Sequence, residues 1–367
     1  MFDRNRFDDT YVLPALGNQL ALFADIQPVS DGKTFFAAPD IDLSIYDTAI
    51  VCSSGGKDSI ASLLRLLEMG FDPAKIELWH HDVDGHEGSQ LMDWVFMRDY
   101  VRQFGEVMGF PVYFSWLDGG FEGEMLKENS YSRPHKVETP DGLIVLERDK
   151  TRSTPGTRLR FPQLSPSLQT RWCSSALKID VGRRALNNQN RFDGKSVLFI
   201  TGERRDESAN RSRYNQFEPH ACDRRDGRKA RRVDAWRPVL AWDEAQVWDI
   251  LERHRIIAPI PYRLGWNRSS CMTCIYNNPR IWATIGEYFP ERLRKIADYE
   301  DRFGTTISRS KVNVKTVAAS SQPIKIADVE ALQQSMIESY HLPIILPENQ
   351  RWELPAGAFG KEGCGAD

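Results

Sequence analysis

The stretch Ser53-Ser54-Gly55-Gly56-Lys57-Asp58-Ser59 decides the fold of this chain. An apolar run, 49–52, precedes it and a leucine-rich run, 60–67, follows it, an order that predicts a strand, a tight turn and a helix. Glycines let the backbone approach a ligand closely, and the first turn of a helix presents free N–H groups to an anion. Two serine hydroxyls and the Lys57 ammonium add donors, so the stretch predicts a phosphate-binding loop.

The loop lacks the spacing G-x-x-x-x-G-K-[ST] of a Walker loop. It resembles the Ser-Gly-Gly-x-Asp-Ser pyrophosphate loop of the adenine nucleotide alpha hydrolase superfamily, which includes ATP pyrophosphatases and PAPS (phosphoadenosine phosphosulfate) reductases. The alternative is a glycine turn that joins a strand to a helix and binds nothing. The match of all five specified residues of this motif, in a strand-to-helix context, favours the pyrophosphate loop.

Composition bounds the class of protein. A length of 367 residues suits one large domain with additions or two domains. A hydrophobic content of 41% supports a core, and 27% charged residues with a net charge of -3 suit a soluble protein. The sequence has neither an apolar run long enough to cross a bilayer nor the apolar segment of a signal peptide, which predicts a cytoplasmic protein without a membrane partner. Six cysteines in so long a chain do not indicate a disulfide scaffold.

Strand and helix patterns alternate, which predicts an α/β fold, a doubly wound parallel sheet with helices on both faces. The resemblance implies the HUP type of this fold. The strands are expected at 47–53, 75–81, 111–116 and 197–202. The predicted organisation is an N-terminal extension at 1–40, a nucleotide-binding domain at 41–259 with an insertion at about 118–170, a small cysteine-bearing module at 260–310 and a tail at 311–367.

Two further polar segments follow predicted strands, at the edge where open parallel sheets bind ligands. Asp82 and Asp84 could hold a ribose hydroxyl or Mg²⁺, and a structural Asp-Gly turn explains them equally well. The segment 201–211 resembles the G-x-R-x-D-E/Q-S-x-x-R segment of PAPS reductases, with arginines able to clamp phosphate or sulfate. The alternative is a surface charge cluster. By resemblance, its nucleotide-binding residues are Gly202, Arg204, Arg205, Ser208 and Arg211.

Cysteines lie in two segments that resemble the same family. Cys173 is in a segment where APS reductases have two adjacent cysteines, the first of which is Trp172 here. Cys271 and Cys274 form a C-x-x-C pair like that of the family's cysteine-bearing tail. Thiolates at this spacing can share one metal or one cluster. The resemblance implies that the three cysteines bind one centre, an iron–sulfur cluster in preference to zinc. The alternative is three unrelated buried cysteines.

Two details of this centre stay open. The fourth ligand could be His220, Cys222 or a vacant position. The sequence around Cys364, near the end of the chain, resembles the redox-cysteine motif of PAPS reductases only in part, and we do not take it as the same motif.

The basic run 224–232 has two interpretations. Such runs are most often solvated loops, and they can also bind the phosphates of a nucleotide or a nucleic acid. If the acceptor is a nucleic acid, this run is expected to follow its backbone beside the nucleotide site.

The resemblance implies an enzyme that binds ATP at 53–59. The substrate oxygen attacks the α-phosphate, pyrophosphate leaves, and sulfur from a donor then displaces AMP from a nucleic-acid or small-molecule acceptor. Lys57, Asp58, Arg204 and Arg205 are the predicted catalytic residues, and the Lys57 and Asp58 side chains are expected to be exposed. One alternative is reduction of PAPS or APS to sulfite with a thioredoxin-like reductant. Another is a nucleotide-binding regulator without catalysis. The sequence leaves the oligomeric state open, and a homodimer fits it.

Overall fold

The structure is a computed structural model that describes residues 32–308 and 310–360. Most of the predicted N-terminal extension, together with Cys364, therefore lies outside the described residues. Within them, one sheet contains eight strands: β1 (Thr48–Cys52), β2 (Ile76–Asp82), β3 (Val112–Leu117), β4 (His135–Thr139), β5 (Gly142–Leu146), β6 (Ser196–Ile200), β7 (Phe217–Pro219) and β8 (Arg232–Trp236).

The strand order is β5-β4-β3-β2-β1-β6-β8-β7. The five strands from β3 to β8 in this order pair in parallel, while β4, β5 and β7 are antiparallel additions at the two ends. The predicted α/β fold with a doubly wound parallel sheet is confirmed. The turn at Asp141-Gly142 joins β4 to β5.

Helices cover the sheet. The described helices are α1 (Lys57–Glu68), α2 (Met97–Met108), α3 (Gly120–Met125), α4 (Trp172–Ser174), α5 (Asp180–Asn187), α6 (Glu244–Arg253), α7 (Ile260–Arg263), α8 (Pro279–Tyr288), α9 (Pro290–Phe303), α10 (Val314–Ala319) and α11 (Val329–Gln334). Residues Ser175–Ile179 form a π-helical turn between α4 and α5. None of these helices is long and apolar enough to span a bilayer.

Strand β1 lies at the centre of the sheet and is buried on both faces. Because successive side chains of a strand point to opposite faces, Ala49 and Val51 enter one apolar cluster and Ile50 enters another. The larger cluster also contains Ile260, Trp266 and Trp282, which come from the predicted C-terminal module. Those residues share the core of the sheet, and a separate cysteine-bearing module is not confirmed.

Strand β8 has no counterpart among the predicted strands. Its sequence, Arg-Val-Asp-Ala-Trp, carries two charges, which made the segment resemble a surface loop. In the structure Asp234 is fully buried, and its carboxylate accepts hydrogen bonds from Arg225 at 2.6 Å, Arg232 at 2.7 Å and the Tyr46 hydroxyl at 2.9 Å. The charges are therefore neutralised inside the fold, where a buried carboxylate needs partners.

The fold creates one crevice at the carboxyl edge of the sheet. After β1 the chain turns to α1 and β2 on one side, while β6 pairs with the other side of β1. This is a topological switch point, where open α/β sheets bind ligands. The loops that follow β1 and β6 meet at this place.

Candidate functional site

The loop after β1 has the conformation that its glycines predict. Gly55 has φ +73°, and a Cβ there would lie 2.3 Å from the sulfur of Met97, so only glycine fits. Gly56 is the N-cap of α1 and no side chain caps the helix. Among the described residues, no hydrogen bond is formed by the backbone N–H groups of Gly55, Gly56, Asp58 and Ser59. The start of α1 therefore presents donors without partners, as an anion site requires.

The three serines of the loop hold its shape. The Ser53 N–H donates to the Trp79 carbonyl at 2.8 Å, which ties the loop to β2. The Ser59 hydroxyl donates to the Gly56 carbonyl at 2.8 Å and lies 3.3 Å from both the N and the hydroxyl of Ser54. These bonds close the turn on itself.

The loop after β6 packs directly on the start of α1. A Cβ on Gly202 would lie 2.7 Å from the backbone C and O of Asp58 and 2.8 Å from the N of Ser59. Two residues later, the Arg204 Nε donates to the Asp58 carboxylate at 2.6 Å. The structure thus brings the two sequence-predicted segments into contact through Gly202, Arg204 and Asp58.

Lys57 is buried, contrary to the expectation that it is exposed. Its side chain is 2% exposed, and its ammonium lies 3.4 Å from Asp58 and 3.7 Å from Glu244. The ammonium also lies 5.1 Å from the centre of the Tyr262 ring and 5.7 Å from that of Trp248. The aromatic rings that bury Lys57 come from helices α6 and α7. These helices are distant from Lys57 in the sequence, so the residues next to Lys57 could not predict its burial.

The buried charges around Lys57 stabilise one another. Burial alone would raise the pKa of Asp58, but Lys57 and Arg204 lower it, so the carboxylate stays ionised. Burial alone would lower the pKa of Lys57, but Tyr262, Asp58 and Glu244 raise it, so the ammonium stays protonated. The Lys57 ammonium therefore keeps its positive charge beside the loop.

Two further arginines lie at the mouth of the loop. Glu207 accepts hydrogen bonds from Arg211, from Arg268 at 3.1 Å and from the backbone N–H of Arg204 at 2.8 Å. Arg211 and Arg268 are each 30% exposed, so both can turn toward a ligand. The Ser208 hydroxyl accepts from the Arg211 N–H at 3.3 Å and positions this turn. Sequence reasoning missed Arg268, although it lies in the segment that resembles the family's cysteine-bearing tail.

Arg205 points away from the loop. Its guanidinium donates to the carbonyls of Phe36 and Tyr214 and stacks at 4.2 Å on the Phe36 ring. Successive residues of this turn face opposite directions, so Arg204 and Arg205 cannot both reach the nucleotide site. The position of its guanidinium does not support Arg205 as an anion ligand, and the catalytic role of Arg205 stays a prediction.

Asp82 and Asp84 hold the turn after β2. Asp82 accepts from the N–H groups of Asp84 and Gly85, both at 3.1 Å, and from Arg98 at 2.9 Å. Asp84 accepts from the N–H of Asp93 at 2.8 Å, and burial raises its pKa to about 7. These bonds favour the structural interpretation of the turn. A cavity of about 410 Å³ beside it is also lined by Met97, which contacts the loop at Gly55.

The three cysteines gather around one buried lysine. Lys178 lies on the π-helical turn, and its pKa, which burial alone would lower, is raised by Cys271, Asp93, Cys173 and Cys274. Burial raises the pKa of Cys173 to about 11. No group of three or more His, Cys, Asp or Glu side chains in the described part of the chain could hold a metal ion. The shared metal centre therefore stays a prediction.

The suggested fourth ligands lie elsewhere. The His220 N–H donates to the Val233 carbonyl at 2.9 Å, and the Cys222 thiol accepts from Asn187 at 3.3 Å. Cys222 belongs to the apolar cluster with Val197 and Val233, near the amino ends of β6 and β8. The thiols around Lys178 are instead next to residues 84–93, because the Thr273 N–H bonds the Met92 carbonyl. The structure does not bring His220 or Cys222 to this group.

Comparison with known proteins supports the resemblance. Residues 150–277 match the family model of the phosphoadenosine phosphosulfate reductase domain. The match covers about a third of the chain, and over that region the chain is similar to the PAPS reductase family. The matched residues include all three cysteines and the segment 202–211, whereas the loop at 53–59 lies outside the match.

A curated relative and solved structures were also found. An uncharacterized 37.8 kDa protein in the gpa 5′ region of Escherichia phage 186 is 27% identical over 263 residues, which cover 68% of this chain and 74% of that protein. Candida glabrata FMN adenylyltransferase with ATP has a TM-score of 0.33 and 11% identity, covering 80% of this chain and 72% of that chain. Its complex with FMN and an ATP analogue has a TM-score of 0.30 and 11% identity, covering 60% of this chain and about half (52%) of that chain. Structural similarity at TM-scores this low carries no argument about the functional site.

The basic run 224–232 lies away from the loop at 53–59. It leads into the first residue of β8, which pairs with Ser196, the first residue of the parallel strand β6. The run is therefore at the amino edge of the sheet, opposite to the loop at 53–59. Arg231 is also buried and bonds the Leu186 carbonyl at 2.8 Å, and Lys229 pairs with Asp193 at 2.9 Å. The run therefore does not lie beside the loop at 53–59, and its position does not support the prediction that it follows a nucleic acid there.

Proposed function

We propose that this protein binds ATP with its phosphates on the loop 53–59 and transfers the adenylyl group to an oxygen of an acceptor, which sulfur then replaces. One observation carries the proposal: the uncapped start of α1 has four backbone N–H groups without partners in the described structure, at the carboxyl edge of the sheet. The Ser269 hydroxyl, buried without a hydrogen-bond partner beside Gly56, supplies a further donor at the same place. Buried polar groups without partners call for a ligand.

The charged residues around the loop fit in-line attack on the α-phosphate. The acceptor oxygen forms a bond to the α-phosphorus, and the bond from phosphorus to the bridging oxygen breaks, so that pyrophosphate leaves with the electron pair. Lys57 and Arg204 are held by Asp58 before the nucleotide arrives, so they stabilise the developing charge without rearrangement. Arg211 and Arg268 can leave Glu207 to bind the pyrophosphate.

The thiols around Lys178 suit the second step. A sulfur atom from the donor, carried as a persulfide on one of these cysteines, attacks the acceptor carbon, and AMP leaves with the oxygen, so that a disulfide joins the acceptor to the cysteine. A second cysteine thiolate of the group attacks the sulfur of the first cysteine, which releases the thiolated acceptor and leaves a disulfide between the two cysteines, and a thioredoxin-like reductant restores both thiols. The Lys178 ammonium stabilises the attacking thiolate, because a nearby cation favours the charged form of a thiol. Mg²⁺ on the phosphates and an iron–sulfur or zinc centre on the cysteines stay predictions, and neither step passes through them.

Reduction of PAPS or APS to sulfite is the second candidate. It is favoured by the family match, which covers residues 150–277 with all three cysteines. In that reaction the loop would bind the nucleotide and a thiolate would attack the sulfate sulfur, and a thioredoxin-like reductant would restore the thiol. A regulator that binds the nucleotide without cleaving it is the third.

Product analysis separates these functions. The protein is incubated with ATP and, separately, with PAPS, and pyrophosphate and sulfite are measured over time. We expect pyrophosphate from ATP, with a rate that falls about 100-fold in Arg204→Ala because a preorganised donor is lost. Arg205→Ala is the matched control and should keep the rate within about twofold, since its guanidinium faces Phe36. Sulfite from PAPS without pyrophosphate would establish the reductase instead, and binding without either product would establish the regulator.

A further inference from the structure

Residues 148–171, called the basic strap below, are rich in positive charge. The strap joins β5 to α4 and has no regular helix or strand of its own. It contains six basic residues and a single acidic one, Asp149. The basic residues are Arg148, Lys150, Arg152, Arg158, Arg160 and Arg171.

The topology of the sheet places both ends of the strap at the carboxyl edge. Leu117, the last residue of β3, pairs with His135, and His135 pairs with Leu146, the last residue of β5. The strap therefore starts level with the carboxyl end of β3. It ends at Trp172, which packs at 4.7 Å against Phe121 of α3, the helix that follows β3. The loop at 53–59 opens on the same edge.

The strap leads directly to the thiols. The Arg158 guanidinium lies 4.6 Å from the centre of the Trp172 ring, next to Cys173. Arg171, which precedes Trp172, donates to the Tyr276 hydroxyl at 2.7 Å, two residues beyond Cys274. A molecule bound along the strap would thus reach the cysteines around Lys178.

Most of the charge on the strap is not neutralised. Arg148, Lys150 and Arg160 are exposed and form no ion pair within the described residues. Arg148 also lies near Arg184, whose pKa is lowered by burial and by this like charge. The Nε atoms of Arg184 and Arg171 are buried without a hydrogen-bond partner. Clustered cations with unused donors indicate an anionic ligand.

The basic run 224–232, at the amino edge of the sheet, differs from the strap in how its cations are paired. Three of its six cations, Arg225, Arg231 and Arg232, have partners inside the fold, and the exposed Lys229 pairs with Asp193 at the surface. Only Arg224 and Arg228 are exposed there without an ion pair among the described residues. The densest basic run in the sequence therefore keeps two exposed cations without an ion pair, against three on the strap, where Arg152 and Arg158 pair with Asp149 and Glu124.

We propose that the basic strap binds the sugar-phosphate backbone of a single-stranded nucleic acid and presents one of its bases to the thiols. Cations spread along an extended segment match a ligand with repeated charge, whereas one nucleotide would need a single clamp. Lys150 lies 5.9 Å from the centre of the Tyr131 ring, an aromatic face on which a base can stack. Chemistry on a base requires it to be outside a duplex stack, which favours a single strand. The base as acceptor rests on the proposed function, while the binding surface does not.

The test compares two matched double charge reversals. Lys150→Glu with Arg160→Glu changes the strap, and Arg224→Glu with Arg228→Glu changes the amino edge by the same charge; all four side chains are exposed. Binding of fluorescent 20-nucleotide single strands of DNA and of RNA is measured by anisotropy at 50 and 200 mM salt. We expect the strap variant to bind at least about tenfold more weakly and its salt slope to fall by about 1.4, because each phosphate contact contributes about 0.7 on single strands. The amino-edge variant should stay within about twofold of the unchanged protein.

Each outcome decides the proposal. Equal losses in the two variants would reduce the effect to net charge and overturn it, as would an unchanged strap variant, tighter binding to a duplex of the same sequence, or no binding by the unchanged protein. ATP affinity is measured by calorimetry in parallel and should be the same in all three proteins. If nucleic acid binds the strap but ATP does not bind at all, the proposed function fails and the binding surface stands.

Discussion

Replacement of Lys57 by methionine is expected to abolish nucleotide turnover and to destabilise the protein. Methionine keeps most of the buried apolar stem but removes the ammonium from between Asp58 and Glu244. Loss of a preorganised charge at the phosphates should lower kcat about 100- to 1,000-fold. Removal of one partner from a buried ion pair should lower the free energy of unfolding by about 3 kcal/mol, a loss that exposed side chains would not produce. Pyrophosphate release and urea unfolding measure the two effects.

Arg65→Met is the control on the same helix. Arg65 is 31% exposed and its partner Asp40 lies 3.6 Å away on the surface. Exposed pairs contribute little, so this variant should keep its turnover and lose less than about 1 kcal/mol. A folded Lys57→Met protein with a turnover within tenfold of the unchanged enzyme would refute the role given to Lys57.

The substitution Gly202→Ala should push the loop after β6 away from the loop after β1 and the start of α1. The added Cβ would meet backbone atoms of Asp58 and Ser59 at 2.7–2.8 Å, and backbone cannot swing aside as a flexible side chain can. The start of α1 must then shift away from β6, which misplaces the N–H groups of the loop and the bond between Arg204 and Asp58. We expect a loss of about 3 kcal/mol in unfolding free energy and at least a tenfold loss of ATP affinity by calorimetry.

Gly156→Ala is the matched control for this variant. A Cβ on Gly156 meets nothing within 4 Å, and its backbone does not have a positive φ. Its stability should change by less than about 0.5 kcal/mol, with the affinity for ATP unchanged. If Gly202→Ala behaves like Gly156→Ala, the close contact between the two loops is not part of the binding site.

The sequence predicted best those parts of the structure that depend on residues close together in the chain. The apolar run 49–52, the glycines and the run 60–67 lie together in the chain, so β1, the loop and the start of α1 could be predicted. The parallel sheet followed from the alternation of strands and helices. Strand β8 could not be predicted in the same way, because Asp234 is a core residue only when arginines from other segments neutralise it.

The candidate site was harder to predict because its side chains come from distant segments. The burial of Lys57 depends on Trp248 and Tyr262, about two hundred residues further along the chain. The opposite directions of Arg204 and Arg205 depend on the backbone of one turn, which a motif does not encode. Charge density alone also misplaced the basic surface, since it does not distinguish arginines that neutralise the core from arginines that face solvent.

The central claim is that an adenine nucleotide binds with its phosphates on the loop 53–59. The most direct measurement is a crystal structure of the protein with the non-hydrolysable analogue α,β-methylene ATP. We predict phosphate density within hydrogen-bond distance of the N–H groups of Gly55, Gly56, Asp58 and Ser59, with the Ser269 hydroxyl as a further donor. Nucleotide density elsewhere, with the start of α1 free of phosphate, would contradict the account.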